Sequence, residues 1–296
     1  MSRRGGAAGP DGLVVVDKEA GWTSHDVVAK SRGLLGTRKV GHSGTLDPDA
    51  TGILLLGVGR VTRLLRFLTV LPKTYTCEIV LGVETSTLDA SGDVTATHEM
   101  GAVTFAEVQA AALGLTGAIL QVPPMVSAVK VDGKRLHQLA REGIEVEREA
   151  RPVTVHRFDV TAGADPLVVR AEVECSSGTY VRTLAADLGH ALGGGAHLRD
   201  LRRTVIGSFT LAEAHPLASV SPEVVLSPAE ALRDYVAVTA TPDDIVAVGH
   251  GRALALDDRF TGGGPWAVVD HDRRLLAVYG AKGEGTARPE VVLAPA

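Results

Sequence analysis

Asp47 is the residue with the most to offer chemically. It lies in Gly44-Thr45-Leu46-Asp47-Pro48-Asp49-Ala50-Thr51-Gly52. Asp before Pro commonly opens a turn, and that plain structural reading accounts for the spacing. The functional reading is a carboxylate on a glycine-flanked loop, with Arg38 and Lys39 before it and Arg60 and Arg63 after it. Nearby cations keep a carboxylate ionised at neutral pH, as a nucleophile or base requires. A second candidate is Ser176-Ser177-Gly178-Thr179-Tyr180-Val181-Arg182-Thr183, where a strand pattern gives way to a helix pattern. Its hydroxyls fit an ordinary helix cap. The same geometry also fits an anion site at a helix N-terminus, with Tyr180 and Arg182 at its mouth.

Other chemistries are set aside. Gly36-Thr37-Arg38-Lys39-Val40-Gly41-His42-Ser43 matches a phosphate loop except that His42 replaces the lysine, and a helix pattern rather than a strand precedes it. Nucleotide hydrolysis does not follow, although the glycines permit close approach of something to the backbone. The ten histidines are scattered and have no metal-ligand spacing, so neither a metal nor a cofactor is expected. Cys77 and Cys175 form no CxxC, which makes a reduced compartment the default.

These candidates need elements to hold them. Gly12–Lys18 reads as a buried strand, and Thr23 or Ser24 can cap a helix carrying Val27, Val28, Leu34 and Leu35. Arg38–Gly52 has no period and reads as loop. Ile53–Gly57 reads as a buried strand and Val61–Leu71 as a helix. Tyr75, Cys77, Ile79 and Leu81 alternate with polar neighbours, a half-buried strand. Ala106–Leu113 is helical. Asp132-Gly133 within Ser127–Lys134 signals a hairpin, and Arg135–Arg141 a short helix. Val153–Val160 and Leu167–Cys175 read as strands, Thr179–Leu192 as a helix and Leu201–Leu211 as a strand. Pro216, Pro222 and Pro228 mark a boundary. Beyond it Ile245–Val248, Ala253–Leu256, Trp266–Val269 and Leu275–Tyr279 read as short strands of a small β-barrel. The fold class expected is α/β (α+β), with a mixed sheet rather than a doubly wound one.

Composition sets the limits. The chain has 296 residues, 45% apolar and 22% charged, which suits a globular protein of about two domains. Net charge is −5, yet residues 1–72 carry ten Lys and Arg against six Asp and Glu. Residues 208–296 carry seven against twelve. Such a protein can bind a polyanion locally but not over its whole surface. Only 11 rings (5 Phe, 4 Tyr, 2 Trp) are available for stacking, so each Tyr counts. No apolar run is long enough for a membrane span. MSRRGGAAGPDG has no apolar core and reads as a disordered leader rather than a signal peptide. A cytoplasmic protein is expected, with no membrane and no obligate protein partner, most simply a monomer.

Five blocks together resemble one family, the bacterial tRNA pseudouridine synthases of the TruB type. They are GLVVVDKEAGWTSHDVV, KVGHSGTLDPDATGILLLGVGRVTR, KTYTCEIVLGVETSTLDASGDV, QVPPMVSAVKVDGKRLHQLAREG, and CSSGTYVRTLAADLG followed by GGGAHLRDLRRTVIG. The order is the family's, and the resemblance covers roughly residues 12–210. It implies the pseudouridine synthase fold, with a largely antiparallel sheet, and isomerisation of uridine 55 in the T-loop of tRNA. It makes Asp47 the catalytic aspartate and His42 a residue that seats the T-loop and fills the space of the flipped uridine. Tyr75 packs on the target base, Tyr180 lines the pocket and Arg182 pairs with the aspartate. Leu201 is an apolar pocket residue and Lys18 a basic residue near the site. Ser43 stands where some relatives carry Thr. Met125–Pro152 corresponds to an insertion that closes over the T-loop. GHGRALAL and RPEVVLAP are weakly similar to a PUA-like domain at 241–296, after a linker at 216–240. Two rivals remain: a silent RNA-binding or RNA-folding protein on this scaffold, and a synthase acting on another RNA.

Overall fold

The computed structural model describes residues 9–126, 130–131, 134–135, 144, 146–283 and 285–293. They pack into two units, one from Met1–Pro48, Gly52–Val70 and Gly207–Ala296, the other from Asp49–Thr51 and Leu71–Ile206.

The first unit begins with β1 (Gly12–Lys18), α1 (Ser24–Leu34), β2 (Val40–Ser43), β3 (Thr51–Val58) and the short helix α2 (Leu65–Thr69). β1 and β3 are near-continuous apolar runs because both are buried strands. They pair antiparallel from Gly12↔Val58 to Lys18↔Gly52, β2 pairs antiparallel with β3, and His215–Pro216 adds to β1 in parallel. α1 starts at a capping box, Thr23 with Asp26, and buries Ser24, Val27, Val28 and Ser31, one helical stripe. That stripe packs with Val14, Val16, Leu54 and Leu56. Asp11, within the segment expected to be a disordered leader, accepts from the backbone N and Nε of Arg60, each at 2.6 Å.

Two local expectations change here. Arg38–Gly52 is not all loop, since Val40–Ser43 is a strand that satisfies one side of β3. Val61–Leu71 is not one α-helix. Gly59–Leu64 forms a 3-10 turn before α2, with the buried Val61 and Leu64 three residues apart, the 3-10 period.

The second unit holds β4 (Lys73–Leu81), α3 (Phe105–Gly114), β5 (Gly117–Gln121), β6 (Arg151–Ala162), β7 (Val168–Cys175), α4 (Val181–Ala191) and β8 (Ala196–Ile206). The strands run antiparallel in the order β8-β4-β7-β6-β5. β4 alternates as expected, with Lys73, Tyr75, Cys77, Ile79 and Leu81 buried. α4 packs on β8 and α3 on β6. The last strand begins earlier than its apolar pattern suggested, at Ala196, directly after the glycine run. Lys130–Val131 pairs with Lys134–Arg135 as a hairpin; its Asp132-Gly133 turn, and the helix expected over Arg135–Arg141 beyond its first residue, lie outside the described residues.

The C-terminal part of the first unit is a five-stranded sheet: β9 (Ala237–Thr239), β10 (Leu254–Ala255), β11 (Trp266–Val269), β12 (Leu275–Ala281) and β13 (Thr286–Val292), in the order β9-β11-β12-β13-β10. Trp266, Val268, Ala277 and Tyr279 form its core. Ile245–Val248 is helical, not a strand: α5 (Pro242–Gly249) has Thr241 as N-cap, Asp244 completing a capping box and Pro242 in the first turn. Four apolar residues in a row concealed those start signals. The overall class is mixed α+β, with a small C-terminal β-domain.

Candidate functional site

The residues singled out in sequence fall into two groups, one in each unit.

In the first unit, Asp47 lies on the loop between β2 and β3 and is half-buried. Both its neighbours are pinned through their main chains. Ser24 Oγ donates to Leu46 O (3.2 Å) and accepts from Leu46 N (2.9 Å). Pro48 O accepts from Lys18 Nζ at 2.8 Å and from Gly21 N at 2.9 Å. Lys18 also donates to Glu19 O and Trp22 O and is 1% exposed, so its cation sits beneath the Asp47 loop rather than in solvent. Burying an ammonium is costly unless several acceptors meet it, and three carbonyls do so here. His42 follows from β2, its ring edge-on to that of His25 with centroids 5.4 Å apart. Lys18, His42 and Asp47 therefore belong to one substructure, built from the end of β1, the start of α1 and the β2–β3 connection.

In the second unit, Tyr75 is on the buried face of β4, 8% exposed, opposite Val173 on β7 and Arg203 on β8. Leu201 sits in a β-bulge. Between the pairs Arg199↔Glu78 and Arg202↔Thr76, β8 has Asp200 and Leu201 where β4 has only Cys77. Asp200 takes φ +54°, the left-handed conformation that such a bulge uses. The extra residue re-aims Leu201, a feature that strand alternation cannot reveal.

Tyr180 is the N-cap residue of α4 and makes no side-chain cap bond. The hydroxyl cap expected of Ser176 to Thr179 is thus replaced. Thr179 Oγ1 bonds back to Ser176 O, and Ser176 Oγ accepts from Thr154 N. Tyr180 is held instead by Gln121, whose Oε1 accepts from Tyr180 N (2.7 Å) and whose Nε2 donates to Tyr180 O (3.0 Å). Arg182, one residue into α4, is 4% exposed. Its Nη1 donates to Thr87 O (3.0 Å) and lies 3.4 Å from Asp89 Oδ2, and its Nη2 donates to Val126 O (2.7 Å). One planar guanidinium thereby joins two segments that are far apart in sequence.

Three of these contributors escaped sequence reasoning. Gln121 closes a β-run just before Pro123-Pro124, an unusual place for a buried amide, and that was its only signal. Asp89 accepts from Thr87 Oγ1 and from Ser91 N and Oγ, a turn that Thr-x-Asp-x-Ser could have suggested. Ser24 was seen as a cap candidate, not as the brace of Leu46. Burial also perturbs groups near Tyr75: it lowers Lys73 to about 8, helped by the charge of Arg203, and raises Cys175 to about 11.

Residues 32–181 match the family model described as TruB family pseudouridylate synthase (N terminal domain), and residues 182–239 match tRNA pseudouridylate synthase B C-terminal domain. A protein of an Arthrobacter species named tRNA pseudouridine synthase B is 47% identical over 298 residues, covering 96% of this chain and 97% of that protein. One of the same name from Mycolicibacterium paratuberculosis is 48% identical over 297 residues, covering 97% and 99%. Among solved structures, a Cbf5–Nop10–Gar1 complex aligns with TM-score 0.75 at 25% identity, over 96% of this chain and 85% of that one. An H/ACA RNP bound to a substrate RNA containing 2'-deoxyuridine aligns with TM-score 0.72 at 23% identity, over 96% and 85%, a likeness of fold. The chain belongs to the TruB family of pseudouridylate synthases.

Proposed function

We propose that this TruB-family pseudouridylate synthase acts on uridine 55 in the T-loop of tRNA and that Asp47 carries the chemistry. The chain is an enzyme that isomerises uridine to pseudouridine in tRNA. The reaction breaks the bond from N1 of the base to C1′ of the ribose and forms one from C5 to the same carbon. The proton on C5 is lost and N1 gains one, so atoms and electrons balance without an oxidant or a hydrolysed nucleotide. A carboxylate suits both needs of such a step, covalent assistance and proton transfer.

The observation that carries this reading is the double pinning of the Asp47 loop at Leu46 and Pro48. A reacting carboxylate gains from a main chain that is already fixed. The remaining roles follow the family resemblance. The base must leave its stack. Tyr75 stacks on it, while Tyr180 and Leu201 give it an apolar wall. His42 takes up the space it vacates, and Arg182 and Lys18 supply positive charge. The insertion at 125–152 clasps the T-loop, and the segment from 241 onward acts as a PUA-like RNA-binding domain beyond a linker at 216–240. The enzyme works as a monomer in the cytoplasm. Among the described residues no helix is long and apolar enough to cross a membrane.

The test is a T-arm transcript incubated with purified protein and mapped for pseudouridine, with the same map made on tRNA from a deletion strain. Pseudouridine at position 55 in the reaction, and its loss in the strain, is the expected result. Product at another position would move the target to a different uridine. Binding without any product would favour the rival reading, a tRNA-folding protein.

A further inference from the structure

The basic excess of residues 1–72 becomes uneven once each cation's partners are followed. Lys18 is buried on carbonyls. Arg60 is clasped by Asp11 and donates to Leu293 O. Arg63 donates to Val292 O, and Arg66 pairs with Glu290. All three arginines are thus engaged at the end of β13. Lys30, Arg32, Arg38 and Lys39 differ. They are exposed, and among the described residues no carboxylate forms an ion pair with any of them. Asp11 feels Lys39 only as a weaker, longer-range charge beside its bridge to Arg60.

Two of these four cations wall an open hollow of about 560 Å³, formed by Arg32, Gly33, Gly36, Thr37 and Arg38 at the end of α1. Gly33 and Gly36 face free space, for a Cβ built on either meets no atom within 4 Å. Gly36 has φ +62°, the turn that lets the chain double back. The backbone at this end is already satisfied: Leu35 N donates to Ser31 O, Thr37 N to Arg32 O, and Arg32 Nη2 to Val40 O. A helix C-terminus carries partial negative charge and alone repels anions, so attraction here must come from the side-chain cations. The hollow contains no aromatic ring and no large apolar side chain, so it offers no platform for a base. An isolated small anion would be weakly held at so open a place. A phosphate on a polymer already positioned by other contacts needs no more than this.

We propose that this hollow holds a backbone phosphate of the substrate RNA, with Arg32 and Arg38 as the contacting cations and Lys30 and Lys39 flanking them. The inference rests on the reading of the chain as a tRNA-modifying enzyme and adds to it an anchoring point distinct from the residues assigned to the flipped base. Lys39 leads directly into β2, whose rise of about 3.3 Å per residue sets His42 about 10 Å further along the strand. A short stretch of RNA backbone spans that separation.

The experiment measures binding of an unmodified T-arm stem-loop by fluorescence anisotropy, from about 50 to about 200 mM salt, for wild type, Arg38→Ala, Arg38→Lys and Arg32→Ala/Arg38→Ala. Each lost phosphate contact lowers the slope of log affinity against log salt by about 0.7–0.9. Arg38→Ala should show one such step and about a tenfold weaker Kd at low salt. Arg38→Lys should keep most of the slope. The double variant should lose more, but Arg32 also holds Val40, so the single variant decides. A wild-type slope in Arg38→Ala overturns the proposal. So does weaker binding with an unchanged slope, which would mean a structural loss. A single-turnover rate that falls at saturating RNA would place Arg38 in the chemistry instead. If wild type forms no pseudouridine yet Arg38→Ala still loses one step of slope, the functional reading fails and the hollow stands. If wild type modifies the T-arm and Arg38→Ala keeps its slope, the reverse holds.

Discussion

Ser24 and Gln121 perform the same task in two regions. Each exchanges a reciprocal pair of hydrogen bonds with the main chain of one residue: Ser24 with Leu46, beside Asp47, and Gln121 with Tyr180, the N-cap of the helix that carries Arg182. Each side chain behaves as a substitute strand, meeting an N–H and a C=O at once. They differ in their surroundings. Around Asp47 the brace is repeated, because Lys18 and Gly21 hold Pro48 independently, and every tie spans about 30 residues or fewer. Around Arg182 the ties span 56 to 95 residues, and individual side chains carry them. The carboxylate thus rests on redundant local support, whereas the helix start bearing the arginine depends on particular long-range bonds. Substitutions in the first region should read out as chemistry, and those in the second as chemistry mixed with stability.

The largest effect tests the first half of that contrast. Asp47→Asn keeps shape and size, and the pinned main chain at Leu46 and Pro48 should leave the loop in place. Turnover should fall at least about a thousandfold, on the order of 4 kcal/mol in the barrier, while the Kd for T-arm RNA and the melting temperature stay near wild type. Residual turnover well above that level would remove Asp47 from the central role. A large fall in melting temperature would show that the carboxylate itself supports the loop.

Arg182→Lys comes next. The guanidinium donates to both Thr87 O and Val126 O and lies near Asp89; a lysine is a point charge and cannot reproduce that fork. Hydrogen bonds from a charged group are worth about 1.5–3 kcal/mol, so a 10- to 100-fold loss of single-turnover rate is expected. The melting temperature should drop as well. Rate loss without any change in stability would mean that the bridging bonds are incidental and that the two regions do not differ as argued.

Ser24→Ala against Gln121→Ala is the direct comparison. Both leave a main-chain N–H and C=O without their partner, at about 1–3 kcal/mol. Loss at Ser24 leaves Lys18 and Gly21 in place, so its effect on turnover should stay below about fivefold, the equivalent of about 1 kcal/mol. Loss at Gln121 should cost more rate, together with a melting shift of about 2–6 °C. Equal effects of the two alanines on rate would erase the contrast.

How much was legible follows the same division. The connection that carries Asp47 could be read because its glycines and prolines lie within one stretch of residues, and the start of α1 because Thr23 and Ser24 stand just before its apolar positions, although the partner Asp26 that completes the capping box was not singled out. The alternation of β4 was equally plain. The 3-10 turn at Gly59–Leu64 was read as α-helix because a three-residue and a 3.6-residue period differ little over two turns. α5 was read as a strand because its apolar residues are consecutive, although Thr241-Pro242-Asp243-Asp244 carried the start signal. The bulge at Asp200–Leu201 and the Gln121–Tyr180 pair are products of strand register and long-range packing, which no local pattern encodes.

The smallest effect concerns how the two regions bury their lysines. Lys18 lies on three carbonyls. Lys73 donates to Leu71 O but lies near the charge of Arg203, and burial with that repulsion lowers it from the usual 10.5 to about 8. Between those values the folded protein has released the proton while the unfolded chain keeps it. The unfolded state then binds more protons, so stability rises with pH from about 8. Cys175 and Cys77 act in the opposite sense. Burial raises them from the usual 9.0 to about 11 and about 12, so above pH 9 unfolded thiols ionise while folded ones do not. Stability therefore falls as pH climbs from 9 towards those values, and two thiols outweigh one amine. The expected profile of urea midpoints is a modest rise from pH 8 to 9 followed by a decline. Lys73→Met should abolish the rise whatever it does to the absolute midpoint, and Cys77→Ala with Cys175→Ala should flatten the decline. A wild-type midpoint that is flat from pH 8 to 9, or one that rises equally in Lys73→Met, would show that Lys73 keeps its proton in the fold and is as well supported as Lys18.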